Sequence, residues 1–208
     1  MRFTIYQESR IGKRRSNQDR IAHCYSRDAL LMIVADGMGG HLHGEVAAQI
    51  AVQRMTEQFQ REARPTLPDP PLFLSRALDS AHHAILDDAL DRQFPEAPRT
   101  TLVACVVQRG AAFWAHAGDS RLYLLRRGHL VTRTRDHSRT QLMIDQGLLL
   151  PEDAHHHPGR NRIYSCLGGT CATATCSRSV PTASGARPMT TVSSPTCLPA
   201  CSARRCHG

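Results

Sequence analysis

Acidic residues are missing from the last quarter of the sequence. No Asp or Glu follows Asp153, and residues 170–208 also contain no Lys and no aromatic residue. A segment made mostly of Ala, Thr, Ser, Pro, Cys and Arg buries too little apolar surface to offset the entropy of ordering it. We therefore expect one domain over residues 1–169, followed over residues 170–208 by a disordered tail or a segment read out of frame.

Other absences exclude further classes of protein. No apolar run approaches the ~20 residues that span a bilayer, and the N-terminus lacks the apolar stretch of a secretory signal. The eight cysteines include no C-x-x-C pair, which argues against a zinc site. The sequence thus predicts a cytoplasmic protein with no membrane partner.

The net charge of +8 is a poor indicator of function. Half of it comes from the four arginines of residues 170–208, since the rest of the chain holds 22 basic and 18 acidic side chains. Aromatic residues make up only 5% of the chain, so it offers no platform on which nucleic-acid bases could stack. We rank a nucleic-acid binder last and expect no nucleic-acid partner.

The spacing of apolar residues predicts helices packed on antiparallel sheet. Helical spacing marks three segments and alternating or continuous apolar runs mark seven strands. The predicted strands are 3–7, 21–25, 29–35, 101–108, 111–117, 121–126 and 129–134, and the predicted helices are about 44–61, 72–92 and 138–147. The last four strands have no helix between them and must pair antiparallel, so the predicted fold class is α+β.

Three acidic residues lie where strands begin or end. Asp19 precedes a predicted strand, Asp36 ends a buried one, and Asp119 lies in a turn between two strands. Oxygen ligands of this kind suit Mg²⁺ or Mn²⁺ rather than softer metals, and a nearby arginine such as Arg14 suits a phosphate. Taken singly, each has an ordinary explanation, because Asp-Gly is common in turns and most arginines are solvated. Together they indicate metal-assisted hydrolysis of a phosphate ester.

Several short motifs, three of which contain these acids, occur in a fixed order between residue 9 and about residue 169. They are Asn17-Gln-Asp19, Asp36-Gly-Met-Gly-Gly-His41, Gly44-Glu45, Thr100-Thr101, Gly118-Asp-Ser-Arg121 and Asp136-His-Ser138. This order closely resembles the metal-dependent protein serine/threonine phosphatases, the type 2C or PPM family, in its compact bacterial form. The resemblance implies an antiparallel β-sandwich flanked by helices, in α-β-β-α layers, incomplete at the C-terminus.

The resemblance also implies roles for individual residues. Asp36 is similar to the carboxylate that bridges two Mn²⁺ or Mg²⁺ ions, with the carbonyl of Gly37 as a further ligand. Asp19 resembles an acid that holds metal-coordinated water, and Asp119 resembles the ligand of a weaker third ion. Arg14 resembles the arginine that grips the substrate phosphate, which makes Arg14 and Asp36 the candidate catalytic residues.

The sequence departs from this family in two ways. Gln18 stands where many members have Glu, and the Asp-Gly and Asp-Asn segments that supply further metal ligands beyond Gly169 have no counterpart here. Two hypotheses follow. The first is hydrolysis, by a monomer, of phosphoserine and phosphothreonine in the protein substrates of a serine/threonine kinase. The alternative is a pseudophosphatase that binds phosphoproteins or a kinase without cleaving, its activity lost with the missing ligands.

Overall fold

Two antiparallel sheets and two long helices form most of the described structure, a computed structural model. It describes residues 2–12, 16–38 and 43–169, together with the backbone of two strands at 175–181 and 189–193. The strands are β1 (Asp19–Tyr25), β2 (Ala29–Asp36), β3 (Leu102–Gln108), β4 (Ala111–Ala117), β5 (Arg121–Arg126), β6 (His129–Arg133), β7 (Thr175–Pro181) and β8 (Met189–Ser193). The helices are α1 (Gly44–Glu62), α2 (Pro70–Asp91) and α3 (Arg139–Asp145), followed by a 3₁₀ turn at Asp153–His155.

The larger sheet has the strand order β1-β2-β3-β4-β7 and is antiparallel throughout. Helices α1 and α2 pack against one of its faces, where the rings of Phe59 and Phe73 meet edge to face with centroids 6.0 Å apart. Helix α2 begins where the side chain of Asp69 accepts a hydrogen bond from the backbone of Leu72, with Pro70 at its first position. This helical layer buries the main hydrophobic core.

The smaller sheet, of order β6-β5-β8, packs on the opposite face of the larger one. Side chains alternate between the two faces of a strand, so β2 directs Leu31 toward the helices and Val34 toward the smaller sheet. Trp114 of β4 and Leu122 of β5 complete this second core. The α+β class and the antiparallel sheets predicted from the sequence are confirmed.

Helices and strands within residues 19–145 begin and end within two residues of their predicted limits. The strand predicted at 3–7 is wrong, because these described residues form no strand. Ile5 packs against the second core, and the side chain of Gln7 donates to the carbonyl of Ile21 at 3.1 Å. Side chains, rather than a backbone ladder, therefore attach this segment to the outer edge of β1.

The segment 170–208 supplies β7 and β8, whose backbones pair with β4 and β5 respectively. The remainder of this segment lies outside the described residues. That residues 170–208 are separate from a domain ending at residue 169 stays a prediction. That they form a disordered tail, or a segment read out of frame, also stays a prediction. Among the described residues, the helices are too short or too polar to cross a bilayer.

Gln108, at the end of β3, holds the connection between α1 and α2. Its Oε1 accepts a hydrogen bond from the backbone of Leu67 and its Nε2 donates to the carbonyl of the same residue, both at 2.9 Å and both buried. Gln108→Met keeps the shape of the side chain but leaves two buried peptide groups without partners. We expect a loss of about 2–4 kcal/mol in the free energy of unfolding, measured by urea denaturation.

The matched control is Gln53→Met, on the exposed side of α1, which should stay within about 0.5 kcal/mol of the wild type. Equal stability of the two variants would contradict the role assigned to Gln108.

Candidate functional site

Asp19 and Asp36 face each other at one end of the larger sheet. The two residues are direct partners in the register of β1 and β2. Directly opposed residues of antiparallel strands project from the same face, with Cβ atoms about 4.5–5.5 Å apart. Asp36 is only 6% exposed and Asp19 is half-buried. The structure thus brings together two of the carboxylates that the sequence singles out.

The backbone at Gly37 lies against the start of α1. A Cβ atom at Gly37 would lie 2.5 Å from the backbone of Gly44, and one at Gly44 would lie 2.9 Å from the backbone of Gly37. Both positions therefore need glycine. The N–H of Gly37 also donates to the carbonyl of Gln18 at 3.2 Å, which fixes the chain immediately after Asp36.

Two threonines before β3 hold Asp36 from the other side. The hydroxyl of Thr100 and the backbone N–H of Thr101 both donate to the carbonyl of Asp36, each at 2.9 Å. The hydroxyl of Thr101 also bonds to that of Ser120 at 2.6 Å. Thr101 therefore connects the backbone at Asp36 with the turn that carries Asp119. In the sequence this threonine pair matches a family motif, but nothing there indicates what it contacts.

Asp119 lies between β4 and β5 and is largely withdrawn from solvent. Burial is the main reason that the pKa of its carboxyl rises from 3.8 to about 6, and the nearby charges of Asp136 and Asp36 act in the same direction. Its Oδ1 is buried and has no hydrogen-bond partner among the described residues. Because the charge of Asp36 reaches it, this third carboxylate lies in the neighbourhood of the Asp19–Asp36 pair.

These carboxylates do not form a complete ligand set. The part of the chain that the structure describes contains no group of three His, Cys, Asp or Glu side chains placed to hold one metal ion. Arg14 falls outside the described residues, so its position beside the pair stays a prediction. The metal-binding roles of Asp19, Asp36, Gly37 and Asp119 also stay predictions.

Arg121, next to this site, is occupied by an ion pair. Its Nε and Nη2 atoms donate to the two carboxylate oxygens of Asp136 at 2.7 and 2.6 Å, a bidentate arrangement. The hydrogen bonds to Asp136 raise the pKa of Arg121, so its charge is permanent. Arg121 thus attaches the Asp119 turn to the segment at Asp136.

Gln18 is a further site residue whose contact the sequence does not reveal. Its Nε2 donates to a carboxylate oxygen of Glu45, in the first turn of α1, at 3.2 Å. A glutamate at this position could not donate this bond, because an ionised carboxylate only accepts. The amide at this position therefore joins the strand that carries Asp19 to helix α1.

Comparison with known proteins agrees with this geometry. Residues 6–146 match the family model of protein phosphatase 2C. The serine/threonine protein phosphatase PstP of Mycobacterium tuberculosis is 36% identical over 143 residues, which are 68% of this chain and 27% of that protein. Protein phosphatase PhpP of Streptococcus pneumoniae is 32% identical over 157 residues, which are 75% of this chain and 63% of that protein. The chain thus spans less than two thirds of the length of these relatives.

Solved structures show the same fold. The crystal structure of PstP from Mycobacterium tuberculosis matches with a TM-score of 0.72 at 32% identity, covering 84% of this chain and 71% of the other. The catalytic domain of PstP in complex with two manganese ions matches with a TM-score of 0.69 at 31% identity, covering 84% and 70%. Since its family model matches more than half of the residues, the chain belongs to the protein phosphatase 2C family.

Proposed function

We propose that this chain hydrolyses phosphoserine and phosphothreonine in proteins, in a reaction that requires Mn²⁺ or Mg²⁺. The observation that carries the proposal is the opposed pair of Asp19 and Asp36, with the half-buried carboxylate of Asp119 in its neighbourhood. Two carboxylates held this close repel each other, and burial adds a desolvation cost to their charged forms. A bound divalent cation would offset both.

The donor atoms suit such ions. Carboxylate oxygens are the ligands that Mg²⁺ and Mn²⁺ prefer, and the Oδ1 of Asp119 has no hydrogen-bond partner among the described residues. We propose that Asp36 and the carbonyl of Gly37 hold two ions, that Asp19 acts through a water molecule, and that Asp119 binds a weaker third ion. When bound, the ions would neutralise charge on the phosphate and lower the pKa of the attacking water.

The protein's own residues would bind and orient the substrate. We propose that Arg14 holds two oxygens of the phosphate, since a guanidinium matches a phosphate with two parallel hydrogen bonds. PstP is a serine/threonine protein phosphatase and PhpP is a protein phosphatase, which supports a phosphorylated protein as the substrate. That substrate would come from a serine/threonine kinase. A monomer suffices, because the candidate residues all belong to one chain.

A second candidate function is a pseudophosphatase that binds phosphoproteins or a kinase without cleaving them. Two observations favour it: no acid follows Asp153, and the described residues contain no group of three metal-ligating side chains. Under this alternative, Arg14 would still bind phosphate while the metal ions are absent.

Calorimetry with Mn²⁺ and with a phosphopeptide separates the two functions. The pseudophosphatase is expected to bind the phosphopeptide but no Mn²⁺, and Arg14→Ala is expected to weaken peptide binding at least tenfold, by loss of a bidentate pair (about 1.4 kcal/mol per tenfold). Binding of Mn²⁺ together with release of phosphate would instead establish the phosphatase.

Asp36→Asn tests the phosphatase directly. The wild type is expected to release phosphate from a phosphothreonine peptide in the presence of Mn²⁺. Addition of EDTA is expected to stop this release. Asp36→Asn removes the central carboxylate and should lower kcat/KM at least about a hundredfold. Asp79→Asn, at an exposed position of α2, is the control and should retain activity. Release that is insensitive to both EDTA and Asp36→Asn would rule out the proposed reaction.

Asp119→Asn is expected to stabilise the metal-free protein at neutral pH. The pKa of Asp119 is higher in the folded state, about 6, than its ordinary value of 3.8. Its carboxylate therefore lowers stability progressively as the pH rises from about 4 through 6, by up to about 3 kcal/mol. Denaturation in EDTA should show the variant more stable than the wild type at pH 7.5, with a smaller difference at pH 4.

Asp79→Asn is again the control and should shift stability little at either pH. If the Asp119→Asn variant is less stable than the wild type at pH 7.5, the charged carboxylate of Asp119 does not lower the stability of the folded protein.

A further inference from the structure

His137 makes two hydrogen bonds to one residue of the Asp119 turn. Its backbone N–H donates to the carbonyl of Gly118 at 2.9 Å, and its ring Nδ1 accepts from the N–H of Gly118 at 3.3 Å. Both backbone polar groups of Gly118 are therefore held by a single residue. Because the carbonyl of Gly118 belongs to the peptide that leads into Asp119, the orientation of that peptide is fixed.

The ring of His137 cannot easily turn away from this position. It stacks on His116 with centroids 4.3 Å apart and planes inclined by 22°, and Tyr164 lies on it at 5.6 Å. The Nε2 of His116 is itself 2.7 Å from the carbonyl of Arg135, two residues before His137. Burial lowers the pKa of His137 to about 4, so the ring is neutral at neutral pH. The N–H of Gly118 selects the tautomer in which Nδ1 carries no proton and can accept.

Gly118 has a backbone that depends on this support. Its φ of +106° is a conformation that only glycine adopts readily, and a Cβ atom there would lie 2.6 Å from the side chain of Thr101. Beyond Asp119, Ser120 bonds to Thr101 and Arg121 pairs with Asp136. The acceptor nitrogen of His137 thus fixes the turn on the side that precedes Asp119.

We propose that His137 is a positioning residue, which sets the orientation of the Asp119 carboxylate and thereby the affinity of the ion that it binds. This inference rests on the metal-binding role proposed above for Asp119. His137 itself does not touch the substrate or the ions in this scheme. Residues that orient a metal ligand typically contribute about ten- to a hundredfold to metal affinity.

The matched variants are His137→Asn and His137→Leu. They are similar in size, but only Asn offers an oxygen near the place of Nδ1 that can accept from Gly118. Mn²⁺ binding is measured by calorimetry on the full chain, with Asp119→Ala identifying the binding event that depends on Asp119. His137→Leu should weaken that event about tenfold or more, and His137→Asn should largely restore it.

A double variant tests whether the effect passes through Asp119. In the Asp119→Ala background, His137→Leu is expected to cause no further loss of Mn²⁺ affinity. Equal losses in both backgrounds, or equal Mn²⁺ binding by the Asn and Leu variants, would overturn the proposal.

A metal-free measurement keeps the test independent of the phosphatase proposal. If the wild type binds no Mn²⁺, the proposed function fails, but the effect of Asp119→Asn on Tm in EDTA still reports how the carboxylate is held. The increase in Tm that Asp119→Asn causes at pH 7.5 should persist when it is combined with His137→Asn. It should fall by at least half when it is combined with His137→Leu. An unchanged increase in both backgrounds would overturn the positioning role.

His137→Gln replaces the Leu variant if the latter does not fold, because its longer amide reaches toward the place of Nε2 rather than Nδ1. Failure of both the Leu and the Gln variants to fold would make His137 a residue of general stability and would also overturn the proposal.

Discussion

The register between β1 and β2 is the constraint on which the site depends. It sets Asp19 opposite Asp36, on the face that also carries Val34. A slip of one residue would turn each side chain of one strand to the other face, placing a carboxylate against the helices and apolar side chains toward the site. Burial of β2 on both faces makes such a slip costly. The hydrophobic core thereby holds two like charges together that would otherwise separate.

Backbone contacts extend this constraint from the sheet to its surroundings. The close approach of Gly37 and Gly44 ties the end of β2 to α1, and Thr101 ties it to the turn of Asp119. These contacts involve peptide groups and short side chains, which have little freedom to adjust. The positions from which the carboxylates project are consequently fixed by the backbone of three separate segments.

Periodicity was enough to predict most strands and helices between residues 19 and 145, because most of them bury a regular apolar face. The exposed strand β6 was predictable from the turn at Arg127-Gly128 that precedes it. It failed at residues 3–7, where Phe3 and Ile5 alternate like a strand but no backbone ladder forms. The acids at strand ends were also predictable, since a glycine adjoins Asp36 and Asp119 and a predicted strand follows Asp19. The contacts of His137, Gln18 and Arg121 were not, because each joins residues distant in sequence and depends on packing that no local pattern encodes.

The turn that carries Asp119 is also a short covalent connection between the two sheets, since it joins β4 of the larger sheet to β5 of the smaller. Asp19 and Asp36 belong to the larger sheet alone. Any shift of one sheet across the other must therefore change the separation between the third carboxylate and the first two. Side chains in the layer between the sheets, such as Trp114 and Leu122, thus help to set the geometry of an electrostatic site through apolar packing.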